Sequence, residues 1–390
     1  MNRKIKTGLE CLIENPPDFL KNKRLGLLCN PASVHAGFTH ALDLIAARFP
    51  ERLTALFSPQ HGFYAEKQDN MIESGHFTEP RYKIPVYSLY GDTRIPTRRM
   101  FEDIDVLLVD IQDVGTRVYT FIYTVSYCLE TAAALNKKVV ILDRPNPIGG
   151  TRLEGNILSM DMRSFVGRFE IPMRHGMTIG EISHYFNDTY SIGCDLTVVP
   201  MAGWNRQMYW TDTGLPWVVP SPNLPTPASA EVYPGQVIFE GTNLSEGRGT
   251  TQPFELFGAP YLDCPKIMDD VQKDVGTGGV HLRPVSFEPT SGKWKETPCS
   301  GFQIHVTDRD RYRPYELSLS LLSSIIRNHP EDYRHKQPPY EYEFEKLPLD
   351  LILGSRELRE QIESGEPVSR IARSWKEPLN RFKKASRDVY

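Results

Sequence analysis

The chain has no cysteine pair at metal-binding or redox spacing. Its six cysteines (Cys11, Cys29, Cys128, Cys194, Cys264 and Cys299) are scattered, which argues against a zinc ribbon or a disulfide framework. No two histidines stand at H-x-H or H-x-x-x-H spacing, so a zinc hydrolase has little support. There is no G-x-G-x-x-G after a strand and no P-loop; pyrophosphate recognition needs glycines that let the backbone approach. No apolar run approaches a membrane span, and the first twenty residues lack the apolar segment of a secretory leader. One-sided charge is missing too. The net charge is −4 and no long basic run occurs, so nucleic acid and anionic membrane are not expected partners. The expectation is a cytoplasmic protein with no cofactor.

What is present is an ordinary globular mixture, 24% charged and 40% hydrophobic over 390 residues, enough for two or three cores. Short apolar runs at 24–29, 53–57, 86–89, 106–111, 139–142 and 196–199 alternate with helical stretches. Near-continuous apolarity marks strands buried on both faces of a parallel sheet. A helical stripe runs from Thr116 to Leu135, and Thr178 with Glu181 forms a capping box. The expected fold class is α/β, a Rossmann-like, doubly wound and mainly parallel sheet, with a smaller C-terminal α+β domain. Residues 219–235 hold five of the 31 prolines and read as an irregular junction. The expected domains are 1–225, carrying the sheet, and 226–390, closing a cleft over it.

Ligands of open α/β sheets bind beyond the carboxyl ends of the strands. Several such ends are polar here: Asn30 after the first strand, Gln60 and His61 after the second, Asp110, Asp113 and Arg117 after the fourth, and Asp143 and Asn146 after the fifth. The segment after the second strand is dense in acids and amides, with Glu66, Asp69 and Glu73. Asp113 also suits a helix cap. Tyr119, Tyr123 and Tyr127 follow at helical spacing, either a packing stripe or a platform for a sugar ring; Tyr119 is nearest the sheet edge. Glu154 sits in a glycine-hinged loop. His175 is a candidate acid/base or a buried hydrogen-bonding residue. Glu246 and Arg248 lie in a second polar loop, paired with each other or facing a cleft.

Long ordered blocks carry a family resemblance. They are Gly26–Ser33 (GLLCNPAS), Phe57–Phe63 (FSPQHGF), Val109–Thr120 (VDIQDVGTRVYT), Asp143–Gly150 (DRPNPIGG), Arg174–Thr178 (RHGMT), Pro222–Thr226 (PNLPT) and Phe239–Thr250 (FEGTNLSEGRGT). The chain resembles the NamZ-type exo-β-N-acetylmuramidases over nearly its full length. The resemblance implies a Rossmann-like domain, a C-terminal domain and an active site between them. It also implies release of N-acetylmuramic acid from the non-reducing end of peptidoglycan fragments, without nucleotide or metal. Asn30, Gln60, Asp113, Arg117, Tyr119, Asn146, Glu154, His175, Asn223, Glu246 and Arg248 become expected substrate-binding residues.

One departure matters. Family members typically read P-E-H-G-F where this chain has Pro59-Gln60-His61-Gly62-Phe63, and an amide cannot exchange the proton that the glutamate would. Glycoside hydrolysis usually needs two carboxyls, or one acid and the substrate's own acetamide. The expected catalytic set is therefore Glu66 as the replacement acid, Asp110 as the second carboxylate, and His61. Two other outcomes are weighed: a muropeptide or amino-sugar binder that has lost turnover, and a metal-dependent hydrolase using His61, Asp110 and His175.

Overall fold

The computed structural model describes residues 5–68 and 71–387; Asp69, one of the loop acids noted above, lies outside them. The strands in chain order are β1 Leu25–Cys29, β2 Leu53–Ser58, β3 Phe77–Thr78, β4 Pro85–Ser88, β5 Val106–Asp110, β6 Lys138–Leu142, β7 Glu154–Ile157, β8 Pro172–Arg174, β9 Asp195–Val199, β10 Leu256–Ala259, β11 Val280–Phe287 and β12 Cys299–Val306. Seven of them form one sheet, in the order β3-β4-β2-β1-β5-β6-β9. All neighbours are parallel except the short edge strand β3. The six parallel strands follow the Rossmann winding, with β1 starting in the middle and successive strands added first on one side and then on the other. The switch point lies between β1 and β5, where Asn30 and Asp110 emerge.

The apolar runs are strands because both faces are covered. Leu25, Leu27 and Cys29 of β1 point into one core with Leu9, Leu12 and Ile45 from the helices Gly8–Glu14 and Ala41–Arg48. Leu28, between them, points into the other, beneath the helix Phe121–Ala134. Side chains of successive strand residues face opposite ways, so a strand with two buried faces has no polar position left.

The second core does not stop at the sheet. It runs on through Tyr233, Phe239 and Phe257 to Leu319 and Ile325, in the half that carries the antiparallel sheet β10-β12-β11 and the helices Cys264–Asp274 and Pro314–Asn328. Four short helices between Pro348 and Ala385 complete that half.

Two local expectations are corrected. The helix expected from Thr116 begins at Phe121, because Gly115 turns the chain with a φ of 78° and Thr116 bridges to Arg174. Tyr119 therefore precedes the helix and shares no helical stripe with Tyr123. The proline-rich junction is not irregular throughout. Pro227 opens a helix, Pro227–Gln236, with Thr226 as its cap; at the first helical position a missing N–H costs nothing. Among the described residues no helix is long and apolar enough to cross a membrane.

Candidate active site

Beyond β2 the chain reverses through His61 and Gly62, whose φ angles are 73° and 88°. Glycine accepts that backbone freely, whereas histidine is strained by it. His61 is tied by its Nδ1, 2.7 Å from the Lys67 carbonyl. The turn holds Gln60 nearly buried, at 5% exposure. The Gln60 Oε1 accepts from the Thr120 hydroxyl at 2.5 Å, and its Nε2 donates to Glu341 Oε1 at 3.0 Å. Thr120 sits at the cap position of the Phe121 helix but makes no cap bond. Its hydroxyl serves Gln60 instead, forgoing about 1 kcal/mol of helix capping.

Glu341 comes from the far end of the chain. It occupies a hairpin turn closed by reciprocal backbone bonds of 2.9 Å between Tyr340 and Glu343. Both central residues, Glu341 and Tyr342, have positive φ (46° and 67°). Such turns favour Asn-Gly; a Glu-Tyr pair is strained by roughly 1–2 kcal/mol per residue. The Tyr90 hydroxyl donates to Glu341 Oε2 at 2.7 Å. Burial pushes the Glu341 carboxyl up, the bonds from Tyr90 and Gln60 oppose this, and the group titrates at about 7.

A second carboxyl faces the same space. Glu240 accepts from the Tyr340 hydroxyl at 2.8 Å and from Arg248 Nη2 at 2.7 Å. Arg248 also reaches Glu246 Oε1 at 3.1 Å, and Lys293 holds the other Glu246 oxygen at 2.8 Å. Burial alone would raise the Glu246 carboxyl, but Lys293 and Arg248 outweigh it and hold it at about 2. Glu240, Glu341 and Arg248 line one pocket beside Gln60. Gln60, Glu240, Arg248 and Glu341 form its polar side; Tyr119, Phe121, Leu224 and Phe254 are among its apolar wall.

The expected site residues divide sharply. Gln60, His61, Tyr119, Asn223 and Arg248 line the pocket. Asn223 also donates to the Gln68 carbonyl at 3.0 Å, and Glu246 stands behind Arg248. Glu66 is exposed and outside the pocket lining. Asp110 is buried away from it, in a bidentate pair with Arg144 at 2.6 and 2.8 Å. Asn30 bonds the Pro220 carbonyl and the Ala32 amide. Asn146 bonds the Met177 carbonyl and the Ile148 amide. Asp113 accepts from the Gly115 amide and lies 3.3 Å from His175, which is fully buried. Arg117, also fully buried, donates to the carbonyls of Asn156, Ile171, Ile352 and Leu353. Glu154 accepts from the amides of Tyr315 and Glu316, at the start of the Pro314 helix. Six of these strand-end and loop groups thus serve the backbone and Asp110 serves Arg144; none of the seven lines the pocket. Among the described residues no cluster of three His, Cys, Asp or Glu is arranged to hold a metal ion.

Glu240 and Glu341 were not singled out in the sequence. Glu240 stands in the Phe239–Thr250 block, next to the residues that were. Glu341 follows Pro338-Pro339-Tyr340, a turn signal with nothing local to mark chemistry.

A doubly wound sheet whose carboxyl edge meets a second half, with two buried carboxyls lining a pocket there, defines a two-part α/β protein with a site at the sheet edge. Comparison with known proteins is more specific. Family models for the exo-beta-N-acetylmuramidase NamZ match the chain in both parts, the N-terminal model over residues 25–228 and the C-terminal model over residues 231–390. The peptidoglycan beta-N-acetylmuramidase NamZ of Bacillus subtilis is 42% identical over 381 residues, covering 98% of this chain and 90% of the relative. Crystal structures of two DUF1343 family proteins from Bacteroides fragilis superpose with TM-scores of 0.89 and 0.74, at 34% and 28% identity, each covering 99% of this chain and 98% of the other. The chain belongs to the exo-β-N-acetylmuramidase NamZ family.

Proposed function

We propose that this protein is a glycoside hydrolase that releases N-acetylmuramic acid from the non-reducing end of peptidoglycan fragments. The observation that carries this reading is the pair of buried carboxyls, Glu240 and Glu341, lining one pocket. One is bound to arginine, and the other titrates near neutrality. Two carboxyls in unlike environments are the usual equipment for protonating a leaving sugar while stabilising the positive charge that develops on the ring. The apolar wall with Tyr119 offers a face for a pyranose ring. The choice of muramic acid over glucosamine rests on the activity of the Bacillus relative.

The expected acid, Glu66, and the expected second carboxylate, Asp110, give way in this proposal to Glu341 and Glu240. Six free cysteines support action in a reducing compartment, the cytoplasm. The test is release of the chromophore from an aryl β-N-acetylmuramide beside the matching glucosaminide. Hydrolysis of the first and not the second supports the reading. Tight calorimetric binding of a muramic acid disaccharide with no product formed overturns it in favour of a binding protein.

A further inference from the structure

Resting on that reading, we propose that Glu341 is the catalytic acid of this protein and that Gln60 is its positioning residue. The inference begins with the contact between them. Gln60 Nε2 donates to Glu341 Oε1 at 3.0 Å, and the Gln60 carbonyl is fixed from behind by Thr120 at 2.5 Å. A glutamate at position 60 would put two carboxyls in direct contact, and such a pair shares one proton. With an amide there, the proton belongs to Glu341 alone. Each carboxyl oxygen keeps a second lone pair, so Glu341 can hold a hydrogen toward the pocket while it accepts from Gln60.

An independent observation agrees. Glu341 and Tyr342 hold a left-handed turn that their side chains disfavour, and strain of this kind persists where the surroundings demand a particular placement. The charged and titratable groups facing Glu341 come from several elements: Tyr90 and Arg94 from beyond β4, Tyr233 and Glu240 from the junction helices, and Tyr340 and Tyr342 from its own turn.

In the step, the proton leaves Glu341 for the glycosidic oxygen as the bond from that oxygen to the anomeric carbon breaks. The bonding pair stays on oxygen. Water adds its hydroxyl to the anomeric carbon, and the proton it releases restores the Glu341 carboxyl.

Leaving-group dependence tests this, because an aryl leaving group needs no acid and a sugar does. In Glu341→Gln, turnover of a muramic acid–glucosamine disaccharide should fall roughly 10²–10⁴-fold, while turnover of a dinitrophenyl muramide should stay within about threefold. The exchanged pair, Gln60→Glu with Glu341→Gln, restores a carboxyl across the same contact and should recover at least about tenfold of the disaccharide rate. Gln60→Glu alone should move the alkaline limb of the rate profile upward. Equal losses on both substrates, no recovery in the exchanged pair, or Glu341→Gln within about threefold of wild type on the disaccharide, each overturns the assignment while leaving the hydrolase reading intact. A wild-type protein that cleaves neither substrate removes both. Thermal unfolding of each variant separates a folding defect from a catalytic one.

Discussion

Replacing Arg117 with methionine should cost stability and spare substrate affinity. The side chain is fully buried, and its guanidinium donates to four backbone carbonyls, two of them at 2.7 Å. Two of the carbonyls, Asn156 and Ile171, belong to the first half of the chain; the other two, Ile352 and Leu353, belong to the last fifty residues. Gly354 has a positive φ, 66°, and an added Cβ there would meet Arg117 Nη2 at 2.8 Å. Each close bond from a charged donor is worth roughly 1.5–3 kcal/mol, so the gross loss is about 6 kcal/mol at the upper end. Methionine returns part of this. Burial holds the Arg117 guanidinium below its usual range, a sign that hydration given up on folding is poorly replaced, and an apolar side chain gives up none. A net loss of about 3 kcal/mol remains. At roughly 2.1 cal/mol/K per residue of unfolding entropy, a chain of 390 residues then loses about 4 °C in Tm. Calorimetry measures the shift, and initial rates below Tm give KM, expected within about threefold of wild type. An unchanged Tm with a KM raised tenfold or more would refute the argument and return Arg117 to substrate recognition.

Three further outcomes follow from the same geometry. Asp110→Asn leaves the buried Arg144 without its counter-charge and should cost about 3–5 kcal/mol in urea unfolding with little change in kcat; a stable variant with kcat down about 10³-fold would make Asp110 catalytic after all. Glu66→Gln should be wild-type in rate on the disaccharide, and a large loss there would move the acid back to the loop. Burial raises Glu154 from 4.5 to about 7, so the folded protein keeps a proton that the unfolded chain releases above pH 4.5. Its stabilising contribution is complete below that pH and is lost as pH rises through about 7. Glu154→Gln keeps an acceptor for the Tyr315 and Glu316 amides and should flatten the decline, recovering roughly 3 kcal/mol above pH 8; a melting-temperature profile parallel to wild type would contradict this.

The strands were legible because burial on both faces leaves no polar position, and β1, β2, β5 and β6 are readable from apolarity alone. The polar strand ends were equally visible, yet their roles were not. Asn30, Asp110 and Asn146 have the residue types of a site and are taken up by backbone groups and one ion pair near the switch point, a use that composition cannot distinguish from catalysis. The helix at Phe121 was placed five residues early because Val118 continues its apolar stripe; the turn at Gly115 and the bridge from Thr116 to Arg174 are tertiary. Gln60 and Arg248 drew notice through local density of polar groups. Glu341 had no such cue. Its chemistry comes from burial against Tyr90 and Gln60, and contacts across 281 residues of chain leave no periodic trace.

That separation has a consequence for how activity arises during synthesis. The sheet is complete by Val199, but one of the two pocket carboxyls enters with the hairpin at Tyr340, and contacts so distant in sequence are late to form. A chain emerging from the ribosome can therefore hold the finished N-terminal scaffold and still lack the proposed acid. On the proposed assignment of Glu341, turnover begins only when the segment from Tyr340 closes over Gln60, so the appearance of enzymatic activity becomes a measure of completed folding, and no fragment ending before Glu341 should retain it.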